Sequence, residues 1–202
     1  MNRIVLGSWL ALALSAVGCG SHQATPATPA TTATPVTPAS TTATSDAAAS
    51  DNAARPAKVT EFSLDGNNVA LPGPIVFTTG GAEINEADSA ASLWLLVDYL
   101  EAKTYISTLR IEGHLAEGGA AAQPLTEARA LAVAKWLVAH GVACDRLLAV
   151  GFGNTKPIAD NKTLEGRAQN NRITVVNAAL RGRAIGGMPL DGGGMTSGDV
   201  CK

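Results

Sequence analysis

IEGH (Ile111–His114), LTEARALAVAKWL (Leu125–Leu137), GFGNTKPI (Gly151–Ile158), DNKTLEGR (Asp160–Arg167) and NNRI (Asn170–Ile173) follow one another in a single stretch of this chain. Leu109 to Gly113 reads as a short strand. Thr126 suits the cap of a helix whose apolar stripe runs through Leu131, Ala134, Leu137 and Val138. Gly141 ends that helix in a left-handed cap. Leu147 to Phe152 is the next strand, and a short helix over Leu164–Ala168 leads into a strand over Ile173–Val176. Upstream, Asn85 is a second helix cap, with Glu86 and Asp88 favourable at the positive helix start. Leu93, Leu96, Val97 and Leu100 give that helix one apolar face. Between Lys58 and Phe77 the pattern is strand-like. Val59, Phe62 and Leu64 precede the turn signal Asp65-Gly66-Asn67-Asn68, and Ile75-Val76-Phe77 forms a further strand. Strands alternating with helices imply one sheet with helices covering one face.

The order and spacing of these motifs resemble the C-terminal domain of outer-membrane protein A (OmpA)-like proteins. That family reads Gly-His-Thr-Asp, Leu-Ser-x-x-Arg-Ala, Gly-x-Gly and Gly-Arg-x-x-Asn-Arg-Arg. Gly113, His114, Leu125, Thr126, Arg129, Ala130, Gly151, Gly153, Gly166, Arg167, Asn170 and Arg172 match it. The resemblance covers roughly residues 75 to 178. It implies an α/β two-layer sandwich with a mixed sheet, and a module that grips peptidoglycan in Gram-negative envelopes. It implies no cofactor and no metal.

In the resembled family an Asp and an Arg hold the diaminopimelate of the peptide stem. One carboxylate and one guanidinium complement an ammonium and a carboxylate carried on one carbon. Arg129 matches the Arg, and the motif places it in the first turn of its helix. The acid is missing, because Leu115-Ala116 stands where the family has Thr-Asp. The following loop is shortened, and Ala122 replaces an Asn. Glu117 is either a substitute acid or an ordinary solvated loop residue. Asn171 stands where the family has a second Arg, while Arg172 keeps its charge. The ligand set implied by the resemblance is therefore Arg129, Glu117, Thr126, Asn170, Arg172 and His114, with His114 also suited to shaping the strand end. Losing one charged hydrogen bond costs about 1.5–3 kcal/mol, so weakened wall affinity is expected. A scaffold that binds another envelope protein through a degenerate pocket is the alternative. No nucleophile–base pair stands out that would make the chain an enzyme. Gly151-Phe152-Gly153 lacks the third glycine of a phosphate loop, and His140 and Cys144 are separated by a helix-ending glycine.

The N-terminus supplies the compartment. Arg3 precedes an apolar run from Ile4 to Val17, shorter than the roughly 20 residues of a spanning helix. It reads as a signal segment over residues 1–18. Ala16-Val17-Gly18-Cys19 resembles a lipoprotein processing site, with Cys19 as the lipid acceptor; an ordinary signal peptide with Cys19 merely nearby is the alternative. Gly20 lacks the acidic inner-membrane retention signal, so a lipid anchor on the periplasmic face of the outer membrane is expected. Residues 19–57 form a tether. From Gln23 to Ala57, 26 of 35 residues are Ala, Thr or Pro, a composition that stays disordered and extends to on the order of 100 Å at full stretch. The folded domain is expected over 58–180 and able to fold without the tether, with a Gly-rich tail over 181–202, mobile unless pinned.

Charge and cysteines complete the reading. The net charge is −2 and aromatic residues make up 4% of the chain, which excludes a basic, stacking nucleic-acid surface. With Cys19 lipidated, Cys144 and Cys201 form an even pair in an oxidising compartment. A disulfide pinning the tail is the simplest use, and two free thiols or an intermolecular bridge are the alternatives.

Overall fold

The computed structural model describes residues 55–202. The expected signal segment, most of the tether and Cys19 lie outside the described residues. The domain is a two-layer α/β sandwich on a mixed sheet. A hairpin of β1 (Leu64–Asp65) and β2 (Asn68–Val69) comes first, turning at Gly66 with φ +58°. Then follow α1 (Glu86–Ala102), β3 (Ile106–His114), α2 (Ala122–Ala139), β4 (Leu147–Gly151), α3 (Leu164–Asn170) and β5 (Arg172–Leu180). Two short strands, β6 (Arg183–Ala184) and β7 (Met195–Thr196), complete it. The sheet order is β1-β2-β5-β3-β4-β7, with β6 paired to β5. Among the described residues only β3 and β4 run parallel, and every other strand pairing is antiparallel.

Strand alternation assigns the two faces of the sheet. Leu109 and Ile111 of β3, Leu147 and Ala149 of β4, and Ile173 and Val175 of β5 join one buried cluster with the helices. From α1 come Leu93, Leu96, Val97 and Leu100, the stripe read from the sequence. From α2 come Ala130, Val133, Ala134 and Leu137. Asn85 caps α1 by accepting from the Asp88 N–H. Arg146 closes its far end, donating to the carbonyls of Leu100, Lys103 and Ile106. That guanidinium satisfies carbonyls at and just beyond the helix end, where a cation is also favoured.

Three segments differ from the sequence reading, each for a local reason. Ile75-Val76-Phe77 is not a strand; Phe77 makes a single bridge to Ile84. Pro72 and Pro74 flank the entry, and α1 serines take the backbone groups instead. The Ser92 hydroxyl donates to Gly73 O, and Ser89 Oγ accepts from Val76 N. Secondly, α2 begins at Ala122, a turn before Thr126, with no side-chain cap. Pro124 is tolerated there because N–H groups of the first turn have no intrahelical partner. Thirdly, the Gly-rich tail is pinned. β7 pairs with β4 through Val150–Thr196 and Gly151–Met195, Ser197 N donates to Ala149 O, and Cys201 is disulfide-bonded to Cys144 with Cα atoms 5.3 Å apart. The stretch from Ile185 to Gly194 crosses the sheet face away from the helices. There Arg110 donates to Leu190 O and Lys156 to Gly192 O.

The junction with the tether is also built. Arg55 pairs with Asp98 of α1 and lies over the Trp94 ring, 4.5 Å from its centroid. Val59 N–H donates to the second Asp98 oxygen at 2.7 Å. The Asp98 side chain is 1% exposed, so these partners supply the hydrogen bonds that its burial takes from water. The boundary read between residues 57 and 58 therefore cuts through a contact. A chain beginning at Lys58 is expected to be less stable than one beginning at Arg55 by about 1–2 kcal/mol, a half-exposed arginine partner contributing less than a buried one. Urea melts of the two decide it. Equal midpoints would show that Val59 alone satisfies Asp98.

Candidate ligand site at the loop end of the sheet

The C-terminal ends of parallel strands β3 and β4 open onto two loops that are tied together. Leu115 N donates to Gly153 O, and Phe152 N to Gly113 O. Thr126 joins them to α2: its hydroxyl donates to Gln123 O and accepts from Gly153 N at 3.0 Å. The residue is fully buried. Thr126 is thus neither helix cap nor exposed ligand group; it locks the helix to the loops.

Arg129 lies one turn further along α2, rather than in its first turn. Its Nε donates to Gly81 O at 2.8 Å, and its guanidinium sits 5.0 Å from the Phe77 ring centroid. Among the described residues its two terminal nitrogens have no partner. Burial pulls its pKa below the usual arginine value, and a guanidinium still stays charged at neutral pH. The side chain is therefore fixed at its root and unsatisfied at its tip.

The position of the absent acid is closed. Ala116 is 5% exposed, and its N–H donates to Asn171 Oδ1 at 2.7 Å. Both departures from the motif thus meet in one hydrogen bond. Glu117 is exposed and lines a small cavity of about 140 Å³ with Leu115, Gly118, Ala121, Ala122 and Leu125.

The remaining sequence candidates are engaged by neighbours within the fold. Asn170 is fully buried; its amide accepts from Ile158 N and Ala159 N and donates to Ala159 O and Asn161 Oδ1. Its hydrogen-bonding capacity is spent organising the loop before α3. Arg172 donates to Thr174 Oγ1, Asn170 O and Lys156 O. His114 points to the sheet face opposite Arg129's helix. It stacks on Phe152 at 5.3 Å between ring centroids, with Nε2 3.3 Å from Glu112 Oε2. Sequence reasoning missed the Gly81 carbonyl and the Asn171 clamp. A loop carbonyl leaves no side-chain signal, whereas Asn171 was visible as a departure without its partner.

The His114–Glu112 pair is expected to make the fold acid-sensitive. Burial is the strongest influence on His114 and lowers its pKa from the ordinary 6.5, against the raising effect of Glu112. Burial alone would raise the Glu112 carboxyl, but His114 and Arg110 hold it below the usual range. Both folded pKa values are depressed, so the unfolded chain takes up protons first as pH falls. The stability each contributes is present above the unfolded value and declines below it. Stability is expected to fall from about pH 7 to about pH 5, less steeply in His114→Asn. Urea midpoints across that range check this; parallel curves would contradict it.

The OmpA family model matches residues 76–172. That stretch belongs to the OmpA family. Among curated proteins, the Peptidoglycan-binding protein ArfA of Mycobacterium tuberculosis is 40% identical over 111 residues, covering 54% of this chain and 33% of that protein. Outer membrane porin F of Pseudomonas aeruginosa is 44% identical over 90 residues, covering 43% of this chain and 25% of that one. The chain thus spans a third or less of these relatives. The solved periplasmic domain of Helicobacter pylori MotB superposes with a TM-score of 0.49 at 21% identity, over 57% of this chain and 78% of that one. The motif departures at Ala116 and Asn171 fall inside the OmpA-family stretch.

Proposed function

We propose that this OmpA-family domain binds the peptide stem of peptidoglycan noncovalently, through Arg129 at the loop end of the sheet. The carrying observation is the guanidinium itself. It is oriented by Gly81 O and lies over the Phe77 ring, and its terminal nitrogens are left for a ligand carboxylate. Such a donor pair matches a carboxylate bidentately. The 40% identity to a protein named for peptidoglycan binding supports the same reading. The stem component is diaminopimelate, whose ammonium finds no acid at Ala116, so affinity is reduced. The site binds rather than catalyses.

The rest of the chain makes the domain a tether. A lipid on Cys19 would hold it to the periplasmic face of the outer membrane. The Ala/Thr/Pro-rich segment over 19–57 would span the gap to the wall. Cys19→Ser is expected to abolish labelling by a palmitate analogue, and undiminished labelling would remove the lipid anchor.

A second reading has one observation in its favour. Ala116 is buried and its amide is clamped by Asn171, as in a pocket turned over to scaffolding another envelope protein. Nuclear magnetic resonance titration with a soluble diaminopimelate stem peptide separates the two. Shifts concentrated at Gly81, Leu115–Ala121 and Arg129 support wall binding. No shifts at saturating peptide would leave the scaffold.

A further inference from the structure

We propose that Asn171 sets the ligand preference of the site, and that it makes the protein accept stems whose distal amine is acylated, as in cross-linked wall. This rests on the stem-binding reading above. The resembled motif has Asp at 116 and Arg at 171; here both are gone, and the replacements bond to each other. Asn171 Oδ1 is consumed by Ala116 N–H at 2.7 Å, which fixes the orientation of the amide. Its Nδ2 has no partner among the described residues, and Asn171 is exposed. Asn171 therefore presents a donor at the rim.

Arg129's terminal nitrogens and Asn171 Nδ2 are both open donors on the tied loop end of the sheet, linked through the Ala116–Asn171, Leu115–Gly153 and Gly153–Thr126 bonds, and the proposal takes a stem to meet both. Both suit a carboxylate, and neither reads an ammonium. Glu117 is the carboxylate nearest in the chain, and it is exposed, lining the small cavity among apolar neighbours rather than bonded into the Ala116–Asn171 pair. The distal centre of diaminopimelate carries one amine and one carboxylate. Cross-linking turns the amine into a neutral amide while leaving the carboxylate. A site with an acid loses a charged partner on that change; a site with Ala116 and Asn171 loses nothing. The inference is thus one of specificity. Free and cross-linked stems bind alike, and the protein is not confined to wall with free amines.

Asn171→Asp tests the residue with little change of shape. One carboxylate oxygen keeps the bond from Ala116 N–H, and the other replaces Nδ2 by an acceptor. Calorimetry would use two diaminopimelate tripeptides, one with the distal amine free and one with it acetylated. The parent is expected to bind both within about threefold, and Asn171→Asp to favour the free amine by about tenfold, as one charged hydrogen bond allows. Glu117→Ala is expected to leave the parent's ratio unchanged. A parent that prefers the free amine by tenfold would overturn the inference while leaving wall binding intact, and loss of that preference in Glu117→Ala would identify Glu117 as the acid. An unchanged ratio in Asn171→Asp would remove Asn171 from the role. A parent that binds neither peptide would overturn the stem-binding reading and this inference together.

Discussion

Replacing Cys144 and Cys201 by serine is expected to destabilise the domain by about 4 kcal/mol, the chain-entropy value for so long a loop. The bridge spans 57 residues, enclosing β4, α3, β5 and the tail. It limits the unfolded chain and also holds the last strand in place. Without it, β7 keeps only two residue pairs with β4 and the Ser197 bonds to Ala149 O and Glu127 O. The unfolding midpoint should drop by about 10 °C or more. Hydrogen exchange should rise first at Ser197, whose N–H bonds to Ala149 O. A loss under about 1 kcal/mol would show that the tail stays docked unaided and that the reduced chain keeps structure when unfolded.

Gly113→Ala is expected to cost about 3 kcal/mol, at the upper range for overpacking. A Cβ there would sit 2.3 Å from the Thr126 carbonyl oxygen and 2.9 Å from its carbon. Those atoms belong to helix backbone and cannot rotate away. β3 and α2 would have to separate, which would also strain the Thr126 hydroxyl bond to Gly153 N. Its φ lies outside the left-handed region, so the need for glycine is one of close approach alone. Chemical denaturation measures the loss; a change under about 1 kcal/mol would mean that helix and strand part easily.

The same glycine shows how much could be read from the sequence. Motif spacing located the strand end, the helix and the loop pair correctly, because each signal is local: Asn85 caps α1, Gly66 turns the first hairpin, Leu93 to Leu100 face the core. Signals that depend on a distant partner were misread. Thr126 has the composition of a helix cap, yet its hydroxyl is held by Gln123 O and Gly153 N inside the fold. Asn170 carries the motif of a ligand residue and spends its amide on the preceding loop. The tail's glycines suggested mobility. In place, Gly194 lets the chain pass over Val150 and Phe152, where a Cβ would meet Val150 at 2.4 Å. Glycine there permits contact, and flexibility is its property only in a chain without neighbours. Within the site, Arg129 was legible as a charge but not as an oriented one, since Gly81 contributes a carbonyl.

Wall binding through Arg129 is the central claim, and cosedimentation with purified diaminopimelate-containing peptidoglycan tests it most directly. The parent protein is expected to pellet with the wall. Arg129→Ala, losing a guanidinium that is anchored at its root and open at its tip, is expected to bind about 10- to 150-fold more weakly and to remain in the supernatant while keeping its fold by circular dichroism. A parent protein that stays in the supernatant even at low salt, or an Arg129→Ala variant that pellets equally well, would contradict the account.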